Sequence, residues 1–323
     1  MNKSTVFWLI VILLAAGWLF SLIYSTRLAV DGVMYSSILA LAAVGLTMTY
    51  ITTKVPNFAH GAIMGVGTLT ALALSQKFGI SPYVAGLIAL PFSIAISVVL
   101  YYTLMPIYKR GASPTILMMA SMAYNIIILG ALNAIADYLG RIWGIFTRGY
   151  TLRSMDFNIG DFPGLAIIGP LSVALTSAVL YIFLVKTKLG IALRAAVENE
   201  ELARSLGIDV DRAYLVAWII AGVLAGYSGA VLTLYLSVEP DTGWMILANI
   251  FAASIAGGLS NIFGAVLGAF FMGFVEVPLA TYIASIVAIE PYVVLQYRPL
   301  LPLIAVALFL IIIPQGLTSL RRR

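Results

Sequence analysis

Ten apolar stretches dominate the chain, most of them near the roughly 17–25 residues that a helix needs to cross a bilayer. They lie near residues 5–26, 32–53, 59–76, 82–105, 114–136, 163–185, 213–236, 244–257, 261–284 and 299–318. Of the 323 residues, 62% are hydrophobic and only 10% charged, and the mean hydropathy is +1.05. Soluble domains carry about a quarter charged residues, so a water-exposed fold of this size cannot hide so much apolar surface. The expected fold is all-α, a polytopic transmembrane helical bundle of about ten spans in the lipid bilayer. It is expected to form a single integral membrane domain over residues 1–323. The first run is too long for a cleaved signal and is expected to remain as a helix. The third and eighth stretches are rich in Gly, Ala and small polar residues, which marks them as broken or re-entrant helices.

The basic residues set an orientation. With the N-terminus inside, twelve Lys and Arg fall on inner segments: Lys3, Lys54, Lys109, Arg110, Lys186, Lys188, Arg194, Arg204, Arg212, Arg321, Arg322 and Arg323. Six fall outside: Arg27, Lys77, Arg141, Arg148, Arg153 and Arg298. That asymmetry has the direction of the positive-inside rule, so both termini are expected in the cytoplasm of a multi-pass cell-membrane protein. Two long loops follow, an external one at 137–162, expected on the membrane surface, and a cytoplasmic one at 186–212. Five spans on each side of about residue 160 would make any internal repeat an inverted one.

One polar break stands out. Residues 54–67 read KVPNFAHGAIMGVG and hold the single histidine of the chain. Pro56 disfavours helix at Val55 and ends the second span. Asn57 suits the N-cap of a helix opening at Phe58 or Ala59. His60 then falls in the first turn, and Gly61 and Gly65 allow close backbone approach. Irregular backbone at membrane depth is tolerated only inside protein or along a watery cavity. Asn57, Phe58, His60 and Gly61 are therefore candidates for the inner mouth of a translocation path, and a glycine-packed turn is the plainer reading. Glu276 is the acidic residue inside a span, where acids face a cavity or a partner; it joins the candidates, unless it is hydrated near a helix end. Thr49, Thr52 and Thr53 follow Gly45 at helical spacing and either line a pore or bond their own carbonyls.

The loop at 186–212 carries five basic and five acidic residues. Leu189, Leu193, Ala196, Val197, Ala203 and Leu206 recur at helical spacing, Gly207 and Ile208 resemble a helix C-terminus, and Asp211 can cap the next span. The expectation is a short amphipathic helix, either lying on the bilayer or docking a cytosolic partner. A purely lipid-binding helix would be more basic.

Other chemistries lack their residues. Cys is absent and His occurs once, which excludes thiol catalysis and His or Cys metal clusters; no metal and no cofactor is expected. A net charge of +5 reflects topology, so no nucleic-acid partner is expected. A phosphate-binding P-loop needs Gly-Lys before Ser or Thr, and the sequence has no Gly-Lys pair. The chain is expected to stop straight after its last span, without room for an ATPase domain, and the spans lack the paired ionisable groups of a proton relay. The protein is thus not expected to be an enzyme, and active transport would draw energy from another polypeptide.

The segment NFAHG at 57–61, GIALRAAVENEELARSLGIDV at 190–210, AGGLSNIFGAVLGA at 256–269 and PQGL at 314–317 together resemble the permease subunits of branched-chain amino-acid ABC importers. The resemblance runs from about residue 33 to 318. It implies one of two related permeases forming the pathway, cytosolic ATP-binding subunits docked on the loop, and an external solute-binding protein delivering an amino-acid substrate. It implies further that Arg194, Glu198, Asn199, Ala203, Gly207 and Ile208 form the ATPase-coupling loop, and that the break at Asn57 belongs to a gate. Ala62 stands where many relatives carry an acid, Thr68–Leu69 where Ala-Tyr is common, and Ser260 and Phe263 replace the usual Gly and Pro. These departures leave the cargo open, with urea and short amides as alternatives. A rival class is an ion-coupled secondary transporter using Glu276 and His60, and another is a passive small-amide channel.

Overall fold

The computed structural model describes residues 3–287, 293, 297, 298 and 300–312. Its helices are α1 (Lys3–Tyr24), α2 (Thr26–Thr53), α3 (His60–Phe78), α4 (Pro82–Lys109), α5 (Pro114–Trp143), α6 (Leu165–Lys186) and α7 (Lys188–Glu198). They continue with α8 (Glu200–Ser205), α9 (Val210–Leu232), α10 (Thr242–Met245), α11 (Leu247–Gly257), α12 (Ile262–Phe274), α13 (Ala280–Val287) and α14 (Leu300–Ile312). A π-turn, Val275–Leu279, joins α12 to α13, where Pro278 has no N–H to give to the regular ladder. The sheet structure among the described residues is one antiparallel hairpin, β1 (Asn158–Ile159) with β2 (Phe162–Pro163). Six helices are long and apolar enough to cross a membrane, and shorter apolar helices accompany them. The chain is thus a multi-pass helical membrane protein.

Several boundaries differ from expectation. The eighth stretch divides at Ile246 into α10 and α11. Residues 137–143 of the expected external loop continue α5, which ends at Gly144 in a left-handed conformation. Part of the rest of that loop is anchored to the protein: Leu152 is buried, its N–H donates to the Thr233 carbonyl at 2.8 Å, and Tyr150 pairs with Val238. Residues 313–318 of the tenth stretch, the 314–317 motif and Arg321, Arg322 and Arg323 lie outside the described residues.

The chain forms two compact units, and neither is a sequence half. One comprises Met1–Val44, Phe157–Leu171 and Ile246–Arg323; the other comprises Gly45–Asp156 and Ser172–Met245. In the second unit, α9 packs between α3 and α4 through missing side chains. A Cβ on Gly67 would strike the Gly226 carbonyl, and one on Gly229 the Met64 carbonyl. Lipid supplies no hydrophobic force between spans, so small residues that let backbones touch do this work. Thr68 Oγ1 donates to the Gly229 carbonyl at 3.0 Å and Ser97 Oγ to the Trp218 carbonyl at 2.6 Å. In the first unit the same device joins α11 and α12, with Gly257 against the Gly264 carbonyl and Gly268 against that of Ala253. Trp18 on α1 meets Phe274 edge-on at 5.5 Å between ring centroids.

Candidate translocation gate and docking loop

The break after α2 is closed by its own side chains. Lys54 takes a left-handed φ of 57°, and its N–H still bonds the Tyr50 carbonyl at 2.7 Å. Thr53 Oγ1 accepts the Val55 N–H at 3.3 Å, and Asn57 Oδ1 accepts that of Ala59 at 3.0 Å. The helix itself opens at His60, later than expected, with Ala59 rather than Asn57 at its boundary. Asn57 closes the preceding turn instead.

The break folds back along α2. A Cβ on Gly45 would stand 3.0 Å from His60 Cε1 and 3.2 Å from the Ala221 carbonyl oxygen. Gly45 precedes Thr53 by eight residues, about 12 Å at the helical rise of 1.5 Å per residue. His60, fully buried, therefore sits well inside the bundle. From Gly45 level, α3 and α9 run in one direction, and beyond Leu232 the chain returns against α3. The Pro240 carbonyl oxygen lies 2.5 Å from a Cβ on Gly65, and that of Gly243 lies 2.7 Å from one on Gly61. The rings of Phe58 and Trp244 meet at 6.5 Å, and the Phe58 N–H donates to Ser121 Oγ on α5 at 3.2 Å. Two discontinuous segments, entering from opposite ends, thus abut at the first turn of α3.

Asn57, Phe58, His60 and Gly61 are brought together there. Glu276 belongs to the first compact unit. It is 5% exposed, its Oε2 accepts from Asn249 Nδ2 at 2.9 Å, and Arg298 Nε lies 3.9 Å from its Oε1. Asn249 also reaches the Tyr35 hydroxyl at 3.2 Å. Glu276 is thus buried and partnered. The threonines bond backbone: Thr49 Oγ1 donates to the Leu46 carbonyl at 2.9 Å and Thr52 Oγ1 to that of Thr49 at 2.7 Å, while Thr52 Oγ1 accepts from Trp218 Nε1 at 3.1 Å.

The loop is two helices, not one. Thr187 caps α7 through the Gly190 N–H at 3.0 Å. At Asn199 the backbone extends (φ −152°, ψ 103°), and Asn199 Oδ1 accepts the Leu202 N–H at 2.9 Å to start α8. α8 ends as the sequence suggests. Gly207 is left-handed at φ 79°, its N–H bonds the Arg204 carbonyl, and the Ile208 N–H bonds that of Ala203, both at 3.0 Å. Asp209, not Asp211, caps α9 through the Arg212 N–H at 3.1 Å.

Asp211 instead joins an ionic cluster that sequence reasoning missed. Its carboxylate takes Lys109 Nζ at 2.6 Å and Arg204 at 2.8 Å, and Arg204 also holds Glu200 at 2.9 Å. The Tyr108 and Tyr214 hydroxyls donate to Glu200 Oε2 at 3.1 and 3.3 Å. Asp211 first, then Glu200, holds the Arg204 guanidinium above its ordinary range, so it stays charged. The cluster ties α8 to the ends of α4 and α9. Only the Glu200–Arg204 spacing (i, i+4) was visible locally; Lys109 and Asp211 are too far apart in sequence. Arg194, Glu198, Asn199 and Gly207 are exposed and Ile208 is half-buried, whereas Ala203 is buried and supports the loop from beneath. Leu189 and Leu206 are exposed, as are Ile191 and Leu202.

Discontinuous helices meeting inside a multi-span bundle, with an exposed loop braced onto two spans, fit a membrane transport component. Residues 28–313 match the family described as branched-chain amino acid transport system / permease component, and the chain belongs to that family. It is 40% identical over 287 residues to the probable branched-chain amino acid transport permease protein LivH of Methanocaldococcus jannaschii, covering 89% of this chain and 90% of that one. It is 24% identical to the high-affinity branched-chain amino acid transport system permease protein LivH of Escherichia coli K12, over 91% and 96% of the two chains. To the autoinducer 2 import system permease protein LsrC of Photorhabdus laumondii it is 27% identical, over 73% and 69%.

Proposed function

We propose that this chain is the membrane permease subunit of an ATP-driven importer of branched-chain and other hydrophobic amino acids. The observation that carries the cargo is the 40% identity, over nearly the whole length, to a permease named for branched-chain amino acids. The relative named for autoinducer 2 matches a smaller share of the chain, 73% against 89%.

An ATPase subunit and a solute-binding protein follow from such an importer, together with a second related permease. The ATPase grips the loop through Arg194, Glu198, Asn199, Gly207 and Ile208, with the exposed Leu202 and Leu206 beside them. That end of the molecule and both termini face the cytoplasm. Closure of the ATPases on ATP moves the loop, and the Lys109–Asp211–Arg204–Glu200 cluster passes the movement to α4 and α9. Because α9 touches α3 at backbone distance, the first turn of α3 and the facing Trp244 shift together. Asn57, Phe58, His60 and Gly61 act as the inner gate in this alternation of access.

The test is vectorial leucine uptake into liposomes holding the chain with its co-purified partners. Uptake should require internal ATP and external binding protein. Uptake by the chain alone, without nucleotide or companions, would replace this reading with a secondary transporter or a channel.

A further inference from the structure

The buried start of α3 holds a side-chain donor with no partner among the described residues. Asn57 is 3% exposed, and its Oδ1 is committed to the Ala59 N–H at 3.0 Å. That bond fixes which way the amide points. It leaves Asn57 Nδ2 as a buried donor with no partner among the described residues. The Gly61 and Ala62 N–H groups lie in the first turn of this 19-residue helix, where a helix has no intrahelical acceptor to offer. The positive end of the helix dipole lies in the same place.

A second unmatched buried group lies on α5. On α5 the residues Ser121, Asn125, Leu132 and Ala136 form a buried stripe. Ser121 Oγ accepts the Phe58 N–H at 3.2 Å, and Leu132 Cδ1 comes within 3.0 Å of a Cβ on Gly65. Asn125 falls between these two contacts, level with the first turn of α3. It is 1% exposed, and its Oδ1 has no partner among the described residues. Buried polar groups in native proteins are paired, so donors and an acceptor left open together call for an occupant carrying both characters.

We propose that the first turn of α3 is a carboxylate-binding subsite that takes the α-carboxylate of a neutral amino acid, with Asn125 Oδ1 accepting from its ammonium group. A carboxylate offers about four lone-pair sites in one plane and can accept from Asn57 Nδ2 and the two backbone N–H groups together. It also gains from the helix N-terminus, which a neutral water does not. The assignment rests on the amino-acid cargo of the importer reading and deepens it.

The test uses the full chain in lipid nanodiscs, with radiolabelled L-leucine measured by equilibrium dialysis. Two competitors separate the groups: 4-methylpentanoate lacks the ammonium, and leucinamide lacks the carboxylate. Leucinamide should compete at least about tenfold more weakly than 4-methylpentanoate. Asn57→Asp keeps the cap on Ala59 but replaces the donor by a negative oxygen, and should weaken leucine binding at least about tenfold. Asn125→Leu should weaken leucine and leave 4-methylpentanoate unchanged. Leucinamide binding as well as leucine, unchanged binding in a folded Asn57→Asp, or no binding of either carboxylate overturns the subsite. If Asn57→Asp does not fold, the wild-type competitor ranking and Asn125→Leu decide. Uptake by the assembled importer is read separately. Its loss with the ranking intact sinks the importer reading, and uptake without the ranking overturns only the subsite.

Discussion

The start of α3 and the α7–α8 loop are both interruptions between apolar helices, and both are closed by an asparagine. Asn57 Oδ1 takes the Ala59 N–H and Asn199 Oδ1 takes that of Leu202. Beyond that they are opposites. Around α3 the backbone is held by absent side chains, with Gly61, Gly65 and Gly67 each lying against another segment's carbonyl. Around α8 it is held by long charged side chains, with Arg204 and Lys109 converging on Asp211. The difference follows from the solvent. Where water reaches, paired charges are cheap to keep and can brace a loop. Inside the bundle a charge is costly, so rigidity comes from close backbone packing.

The contrast can be broken most sharply at Gly67. Gly67→Leu forces a side chain into the Gly226 carbonyl and should destabilise the protein by about 3 kcal/mol, seen as a lowered thermal midpoint in detergent. A midpoint near wild type would mean that α3 and α9 do not touch there. At the loop, Leu206→Glu changes a side chain 71% exposed and should alter stability by less than about 0.5 kcal/mol. Its effect should appear instead as about a tenfold loss of co-purified ATPase, or about 1.4 kcal/mol of association. Equal recovery of the ATPase would remove Leu206 from the docking surface.

Smaller effects sharpen the comparison. Asn199→Ala removes the cap of α8 and should cost about 1 kcal/mol, measurable by faster hydrogen exchange across residues 200–205. Asp211→Asn should cost about 1 kcal/mol or less at low salt, and the difference should vanish near 1 M salt, where the screening length is about 3 Å. A salt-independent loss would show that the cluster is not the exposed network described. Lys54→Gly should be mildly stabilising, by up to about 1 kcal/mol, since the left-handed φ of 57° costs an L-residue about that much. Destabilisation there would mean that the lysine side chain holds the turn.

Much was legible before any coordinates. The spans, the break at Pro56 and the glycine end of α8 follow from local rules, because apolar length, a missing N–H and a positive φ each act within a few residues. Asn57 was legible as a turn residue, though its helix begins later than its capping preference implied. Illegible were the partners at long range. Nothing near Lys109 announces Asp211, nothing near Gly61 announces Gly243, and Asn125 reads in sequence as one polar residue in a span. The split of the loop at Asn199 was missed because the apolar periodicity runs straight through it.

Composition and hydropathy alone thus required a membrane bundle, and the order of four short motifs marked its family. Those features depend on chain-local chemistry and survive any rearrangement of the helices. Only the tertiary structure decided that a segment returning after α9 meets the first turn of α3, that Asp211 braces α8 instead of capping α9, and that Glu276 lies with Asn249 and Arg298. These facts arise from contacts between residues far apart in the chain, where side-chain volume and charge are matched in space and leave no periodic trace in the sequence.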